Sequence, residues 1–398
     1  MVGEQLGDVH ALHAAPRAGG EEGGEEVVER APAGAGVEGI GHGVTPGGRP
    51  ASALPDRGWV GGRALPCTAR PHPTSFPHSP QANTGPWAQP PTLGSVPVSS
   101  VVVRRVALAN AVANGLIVVT GGAVRLTGSG LGCPTWPECT DGSITPTAEL
   151  AGHGLIEFGN RLLTFALAVI AIATVVVVWR SARRELRKWA VGSFLGIPAQ
   201  ALLGGVTVLT GLNPWTVAAH FLVSMVLVAV ATTLWLRSRE PGVGQLLVRR
   251  PIALLVTGIA VAVGAVQVFG TVVTGSGPHS GDPEAGRTGL DPELVSQLHA
   301  DVVFLLIGLT VALLVALYAT DSASRVRRAA RDLLVVELAQ GVIGYVQYFT
   351  GLPVVLVLLH MAGAVLITAY TARLLWAVRG PRTEATLEPA ADAFATTR

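Results

Sequence analysis

Eight long apolar segments, separated by short polar connections, occupy the chain from about residue 100 to residue 378. They lie near 102–122, 153–179, 188–210, 214–236, 251–274, 293–318, 331–350 and 353–378. Each supplies about the 20 apolar residues that a helix needs to cross a bilayer. Lipid offers no hydrogen-bond partner to an open backbone, so segments of this length are typical of helices. The pattern predicts an all-α polytopic membrane protein with eight transmembrane helices.

The composition supports this interpretation. The chain has 398 residues, of which 49% are apolar and only 14% are charged. Such a chain is too apolar for an ordinary soluble domain. We therefore expect membrane lipid around the protein and no nucleic-acid partner.

Basic residues are concentrated in alternate connections. The connection "RSARRELRK", which follows the second segment, is rich in arginine, whereas the odd-numbered connections contain only Arg125 and Arg287 among several acidic residues. Lys and Arg are enriched in cytoplasmic loops. The distribution predicts a multi-pass protein of the cell (plasma) membrane with both termini in the cytoplasm.

The two ends of the chain have a different composition. Residues 1–97 are rich in Gly, Pro and Ala without any periodicity, which predicts a disordered N-terminal extension. Translation beginning at a valine codon between Val96 and Val103 is an alternative explanation of this segment. Residues 381–398 are predicted to form a disordered cytoplasmic tail.

The apolar region contains an internal repeat. One half has Gln200, Gly211, Leu212 and His220, and the same four residue types recur 140 positions later as Gln340, Gly351, Leu352 and His360. In the second helix of each half, Asn160 occupies the place of His299. The repeat predicts two tandem four-helix bundles, 98–240 and 241–380, which share one orientation and are related by a pseudo-two-fold axis along the membrane normal.

Two histidines of the second half lie at similar depth on different helices. His299 follows Pro292 by seven residues, and His360 follows Pro353 by seven. Ionisable residues inside a membrane are costly and usually mark a function. Two imidazoles that face each other in a bundle core are typical of a haem iron with two axial ligands. The alternative is that each histidine only bonds to a neighbouring backbone; zinc fits less well because no third ligand converges there.

The first half departs from this pattern. It has His220, but Asn160 stands where the repeat predicts histidine, and Glu157 and His153 lie on the same helix face. A carboxylate one turn from a haem site is suited to handling protons. The alternative for Glu157 is a salt bridge with Arg161 or His153. This half is predicted to hold the more open reaction site.

The first outer loop adds three candidates. Cys133 and Cys139 enclose five residues on the side that is predicted to be oxidising, so a disulfide is expected, either as a brace or as a redox-active pair. Arg125, at the end of the first helix, is a candidate partner for a haem propionate. Contact with lipid headgroups is the alternative for this arginine.

Four motifs in combination resemble haem A synthases. They are "TGGAVRLTGSGLGCPTWPEC", "HGLIEFGNRLL", "GLNPWTVAAHFLVSM" and "GYVQYFTGLPVVLVLLHMAGA", and the likeness extends from about Val101 to Arg379. The "CPTWPEC" loop and the "EFGNR" form are most similar to the actinobacterial branch. The resemblance implies a membrane oxidoreductase that uses molecular oxygen to convert the C8 methyl of haem O into the formyl group of haem A by two successive hydroxylations, for use in cytochrome c oxidase.

The resemblance also implies roles for individual residues. His299 and His360 would ligate a resident haem b, His220 would ligate the iron of the substrate haem O, and Glu157 would be the catalytic acid. Many family members have histidine at the position of Asn160. In this chain the second side of that iron would be either unliganded or bound by His153. The implied partners are haem O synthase (protohaem farnesyltransferase), cytochrome c oxidase assembly and an unidentified electron donor.

Two other classes of protein share part of the pattern. A b-type membrane cytochrome that only transfers electrons would contain the two-histidine pair, but it would not need the changes at Glu157 and Asn160. A secondary transporter would account for the repeats, but it usually has interrupted helices at the membrane midplane. Here the polar residues lie near the helix ends.

Overall fold

A computed structural model describes residues 98–240 and 244–380 of the protein. The predictions for residues 1–97 and 381–398 concern segments outside the described residues.

Within the described ranges the protein consists of helices and connecting loops, with no β-strand beyond two isolated bridges. The eight α-helices are α1 (Ser100–Leu126), α2 (Ala151–Trp179), α3 (Arg187–Leu209), α4 (Pro214–Arg239), α5 (Arg250–Ser276), α6 (Pro292–Ala319), α7 (Ser324–Phe349) and α8 (Val354–Ala377). Short 3₁₀ helices, Ala148–Leu150 and Arg184–Leu186, precede α2 and α3. The all-helical prediction is confirmed.

Seven of these helices are long and apolar enough to cross a membrane, and α7 is the exception. The prediction started the seventh segment at residue 331, whereas α7 begins at Ser324. The basic residues Arg325, Arg327 and Arg328 were assigned to a loop, but they lie in the first turns of this helix. Their inclusion, together with that of Glu337, makes α7 less apolar than the other seven.

The turns that lead into α4 and α8 have the same conformation. Both members of each Gly-Leu pair, Gly211–Leu212 and Gly351–Leu352, have positive φ, between 54° and 76°. A left-handed leucine is strained, because its Cβ approaches the following carbonyl. In both turns the leucine N–H bonds back to a carbonyl in the last turn of the preceding helix, Thr207 or Gln347. Each connection therefore reverses the chain within four residues.

Helices α1 to α4 form one set of neighbours and helices α5 to α8 form another. In each set every helix contacts the next one along the chain, and the first contacts the last. The sets meet where α8 packs against α1 and α4, and where α5 packs against α4. A methyl group added at Gly122 of α1 would lie 2.7 Å from the sulfur of Met361, so this glycine allows α8 to approach closely. The two-fold relation between the sets stays a prediction.

A charged cluster joins the two sets at the end of the helices opposite to the two Gly-Leu turns. The Arg237 guanidinium of α4 lies 4.9 Å from the Trp189 ring centroid and 5.0 Å from that of Trp376. Glu240, just after α4, accepts hydrogen bonds from Arg325 of α7 and from the indole of Trp376. Arg–Trp stacking and charge-assisted hydrogen bonds are among the stronger polar contacts. They hold the end of α4 against α7 and α8.

Candidate functional site

The rings of His299 and His360 face each other inside the second helix set. His299 lies on α6 and His360 on α8, and their ring centroids are 6.5 Å apart with an angle of 67° between the ring planes. The Nδ1 atoms of both rings are buried without a hydrogen-bond partner among the described residues. Buried polar atoms normally have partners. The Nδ1 edge of each ring packs against the preceding helix, which leaves Nε2 as the nitrogen of each ring that can bind a ligand.

This geometry fits a haem iron between the two rings. Nitrogens on opposite sides of one metal ion lie about 4 Å apart, because each metal–nitrogen bond is about 2 Å long. The centroid separation of 6.5 Å exceeds this by about the amount that the two half-rings add. In the described part of the chain no group of three or more His, Cys, Asp or Glu side chains is arranged to hold a metal ion. A haem supplies its own four equatorial nitrogens and needs only two protein ligands.

The rings of three histidines, His220, His299 and His360, each pack against a glycine of the preceding helix. A Cβ built on Gly204, Gly270 or Gly344 would lie 3.2 Å from the ring atom Cε1 of His220, His299 or His360, respectively. The Nδ1 atoms lie 3.6 to 3.7 Å from the same positions. A Cβ contact of 3.2 Å is tighter than most, so a side chain at any of these glycines would displace the ring. We refer to Gly204, Gly270 and Gly344 as the glycine seats.

Asn160 occupies the equivalent place in the remaining helix pair. Its Nδ2 atom lies 3.8 Å from the Cβ position of Gly121 on α1. Its Oδ1 accepts a hydrogen bond of 2.8 Å from the Thr120 hydroxyl. The repeat therefore places an amide, already bonded to protein, where the second helix set has the imidazole of His299.

A glutamine supports the backbone at two of the histidines. Gln340 Nε2 donates to the His360 carbonyl over 2.6 Å, and Gln200 Nε2 donates to the His220 carbonyl over 2.9 Å. Gln200 also donates to the Ser224 hydroxyl. Because Gln200 and Gln340 belong to the sequence repeat, their equal contacts explain why the glutamine recurs with the histidine.

Glu157 is buried and anchored on both oxygens. Its Oε2 accepts from the backbone N–H of Cys133 over 2.7 Å, and its Oε1 forms an ion pair of 2.6 Å with Arg161. Arg161 further donates to the carbonyls of Cys133, Thr135 and Glu138. The salt bridge that the sequence offered as an alternative for Glu157 is present. It binds α2 to the first outer loop.

The first outer loop covers the outer end of the first helix set. Cys133 and Cys139 form a disulfide with an S–S distance of 2.04 Å, and both residues are fully buried. Between them, Trp136 lays its indole ring on Gly205, where a Cβ would come within 2.5 Å of the ring. Gly205 is the neighbour of Gly204, against which His220 packs. The sequence analysis did not single out the glycine seats, although the Gly204–Gly344 pair follows the same 140-residue repeat.

The chain matches the sequence model of the COX15-CtaA family, described as cytochrome oxidase assembly protein, over residues 104–279. It is 36% identical over 115 residues to the heme A synthase of Lysinibacillus sphaericus strain C3-41, and equally similar to that of Bacillus cereus strain AH187. The resemblance to haem A synthases is thereby confirmed.

The COX15-CtaA match covers one part of the candidate site. It includes Glu157, Asn160, His220 and the disulfide loop, and it ends before His299 and His360. The alignment with the two relatives spans 28% of this chain and only 37% and 36% of their lengths.

Two further predicted site residues bond to other protein groups. His153 is exposed, and its Nδ1 lies 2.9 Å from the Ser129 hydroxyl. Arg125 donates to the carbonyls of His279 and Thr274, and it borders a cavity of about 210 Å³ that Arg287 also lines. Arg125 thus connects α1 to the segment that follows α5. Its interaction with a propionate stays a prediction.

Proposed function

We propose that this chain is a haem A synthase, a membrane oxidoreductase that converts the C8 methyl of haem O into the formyl group of haem A. One observation carries this proposal. Two equivalent positions of the repeat hold the facing pair His299 and His360 in one helix set, but Asn160 and His220 in the other. An enzyme needs one closed cofactor site and one site with room for a reaction, whereas a simple electron carrier needs only closed sites.

The second helix set would hold a resident haem b. His299 and His360 would hold its iron, with Gly270, Gly344 and Gln340 fixing the ring positions. A haem held in this way supplies one-electron transfer.

The first helix set would hold the substrate haem O. His220 would bind its iron through Nε2, since the Cε1–Nδ1 edge of the ring packs against Gly204. Asn160 would leave the opposite side of the iron open, and His153 would remain bonded to Ser129 instead of acting as a ligand. This arrangement favours oxygen access from the Asn160 side.

Glu157 would handle a proton in the reaction. Two hydroxylations of the methyl group give a geminal diol, and loss of water from the diol leaves the aldehyde. That loss requires a proton to move from one hydroxyl to the departing one, and a positioned carboxylate is suited to this transfer. Arg161 and the Cys133 N–H hold the carboxylate of Glu157 in place while it does so.

We further propose the finer architecture that accompanies this function. The two helix sets, 98–240 and 241–380, would be tandem four-helix bundles related by an axis along the membrane normal, each supplying one haem site. Supporting observations are the equal glutamine and glycine contacts at His220 and His360. The positive-inside pattern favours the cell membrane with both termini in the cytoplasm. Haem O synthase would supply the substrate, and cytochrome c oxidase assembly would receive the product.

The experiment is to co-express the chain with a haem O synthase and to identify the extracted haems by chromatography and mass spectrometry. We expect haem A from the wild type, and haem O or the alcohol intermediate from Glu157→Gln. Glu138→Gln is the matched control. Glu138 lies in the loop that Glu157 contacts, but its exposed carboxylate accepts a hydrogen bond only from the Gly142 N–H. Haem A production should persist in this control.

The alternative function, a b-type cytochrome that only transfers electrons, predicts another outcome. The wild type would then contain haem b alone and would leave added haem O unchanged under reducing, aerated conditions. That result would overturn the proposed synthase activity while leaving the two-histidine haem site in place.

A further inference from the structure

A buried carboxyl group lies in the second helix set, outside both candidate haem ligand sets. Glu337 of α7 has only 2% of its surface exposed, and Thr310 of α6, its hydrogen-bond partner, is fully buried. The second carboxyl oxygen, Oε2, is buried and has no partner among the described residues. The surrounding core contains Leu306, Leu313 and Leu333. A charge in such a place is costly, so membrane carboxyl groups of this kind usually carry a function.

The equivalent positions of the first helix set are apolar. By the repeat offsets of 139 and 140 residues, Thr310 corresponds to Ala171 and Glu337 to Ile197. Ala171 and Ile197 are both buried, and they belong to one apolar cluster. A polar pair has therefore replaced an apolar contact only in the half that holds the His299–His360 pair. Replacing a packed apolar pair by a buried polar one rarely increases stability, so structural support does not account for the pair.

The partner of Glu337 suits both protonation states. The Thr310 hydroxyl has one proton and two acceptors, the Leu306 carbonyl at 3.1 Å and Glu337 Oε1 at 3.0 Å. When Glu337 is ionised, Thr310 donates to it. When Glu337 is protonated, its O–H donates to the Thr310 oxygen, and Thr310 donates to the carbonyl. One rotation of the hydroxyl hydrogen accommodates the change without any movement of heavy atoms.

Glu337 lies on the same face of α7 as the glycine that seats His360. Gly344 is seven residues further along, which is two helical turns or about 10.5 Å. The ionisable groups that flank Glu337 in sequence, on its own helix and on the two helices packed against it, lie at or near the helix ends; they are Asp332 and Tyr345 on α7, Asp301 and Tyr318 on α6, and His360 and Tyr370 on α8. Asp332 is already paired with Arg373 and Arg331. The nearby cations Arg331 and Arg373 are partly exposed, are paired with Asp332 and do not change charge on reduction. The iron between His299 and His360 is therefore the positive charge acting on Glu337 that depends on the redox state.

We propose that Glu337 is a redox-linked proton site, which takes up one proton from water when the haem iron between His299 and His360 gains one electron. The oxidised haem carries one more positive charge than the reduced haem and so favours the ionised carboxylate. On reduction by a one-electron donor that charge is lost, and Glu337 binds a proton. Uptake of the proton keeps the net charge of this apolar core unchanged. The proposal rests on the haem b site of the proposed function.

The test is a redox titration of the purified full-length protein in detergent, followed by haem absorbance between about pH 6 and pH 8.5. Dithionite with redox mediators serves as the one-electron reductant. At a fixed potential the wild-type ratio of reduced to oxidised haem should fall about tenfold from the acidic to the alkaline limit, the factor expected for two charges about 10 Å apart in a protein interior. In Glu337→Gln the ratio should change less than about twofold, since no proton can be exchanged.

Glu293→Gln is the matched control, because Glu293 is an exposed glutamate on α6, and it should behave like the wild type. A second measurement needs no variant: the infrared difference spectrum between reduced and oxidised wild type should show a carboxylic C=O band that appears on reduction. A pH-independent wild type, or a Glu337→Gln protein with the wild-type dependence, would overturn this proposal alone. Absence of a six-coordinate low-spin haem spectrum in the wild type would overturn the haem b site as well.

Discussion

The two helix sets carry the same histidine–glycine–glutamine arrangement at one position, but they differ at the other. His220 and His360 pack against Gly204 and Gly344 at equal distances, and a glutamine bonds to the carbonyl of each. At the second position the sets hold Asn160 and His299. The common part shows how an imidazole is positioned between the helices. The difference is the basis for our proposal of a resident cofactor in one set and a more open site in the other.

The two helix sets also differ in the environment of their buried carboxylates. Glu157, in the first set, lies near the outer end of α2 and is anchored by Arg161 and by the disulfide loop. Glu337, in the second set, lies deep in the apolar core and bonds only to Thr310. An arginine partner holds a carboxylate in place and favours its charged form, whereas an apolar core favours the neutral form unless a nearby positive charge favours ionisation. The two glutamates are therefore suited to different proton chemistry.

Removal of a ligand histidine should separate the two sets most strongly. In protein expressed without a source of haem O, His360→Ala should lower the low-spin haem signal about tenfold or more, because one axial ligand is lost. His220→Ala should leave that signal in place, since His220 belongs to the other set. Electron paramagnetic resonance and optical spectra of the purified proteins measure both.

His279→Ala serves as the control for this comparison. His279 lies outside the helices, and its Nε2 is bonded to the Leu352 carbonyl, so haem should be retained. If His220→Ala removed the low-spin signal and His360→Ala did not, the assignment of the resident haem to the second set would be wrong.

A methyl group at a glycine seat should have an intermediate effect. Gly344→Ala places a Cβ 3.2 Å from Cε1 of His360, which forces the ring to shift. We expect haem to be retained about tenfold more weakly, as for other changes that reorient a metal ligand. Haem transfer to an apo-globin acceptor measures the retention.

Gly341→Ala is the matched control one turn away on α7, where an added Cβ meets nothing within 4 Å. Because alanine is a better helix former than glycine, this variant should be unchanged or more stable by about 0.5–1 kcal/mol. Equal haem loss from both variants would show that helix propensity, and not contact with the ring, accounts for the effect.

The smallest effect is expected at the loop anchor of the first set. Arg161→Gln removes the ion pair with Glu157 and the hydrogen bonds to three loop carbonyls. Opening of the loop should become easier by about 1 kcal/mol, since the contacts are charge-assisted but partly exposed to solvent. The rate at which dithiothreitol reduces the Cys133–Cys139 disulfide measures this opening.

Arg180→Gln, an exposed arginine at the other end of α2, should leave the rate unchanged. The low-spin haem of the second set should be unaffected in both variants. Loss of that haem in Arg161→Gln would show that the two sets are not independent.

Hydropathy alone located the helices, because a bilayer-spanning helix needs a long apolar run and the polar connections interrupt it. Seven of the eight predicted segments begin within two residues of the observed helices. The seventh began too late because its first two turns are basic, and a hydropathy pattern cannot distinguish a basic loop from a basic helix end. Helical hydrogen bonding does not depend on which side chains the helix carries.

The sequence likewise paired His220 with His360 and Asn160 with His299 through its repeat, and equal spacing from the helix starts predicted a similar depth for His299 and His360. It also identified Glu157 and its possible ion pair with Arg161, since residues four apart share a helix face. The sequence did not predict contacts between helices, namely the approach of His299 to His360, the packing of Trp136 on Gly205 and the packing of His299 on Gly270. The sequence also did not predict the hydrogen-bond partner of Glu337, since Thr310 lies 27 residues away on another helix.

The sequence by itself therefore determined which residues have the chemistry to bind an iron or move a proton, and roughly how deep each lies. Only the tertiary structure decided which of them meet. The depth of a residue follows from its position along one helix, whereas a contact between residues of different helices depends on how those helices are rotated about their axes. That rotation is set by close contacts, such as Gly122 against Met361, that no single helix contains.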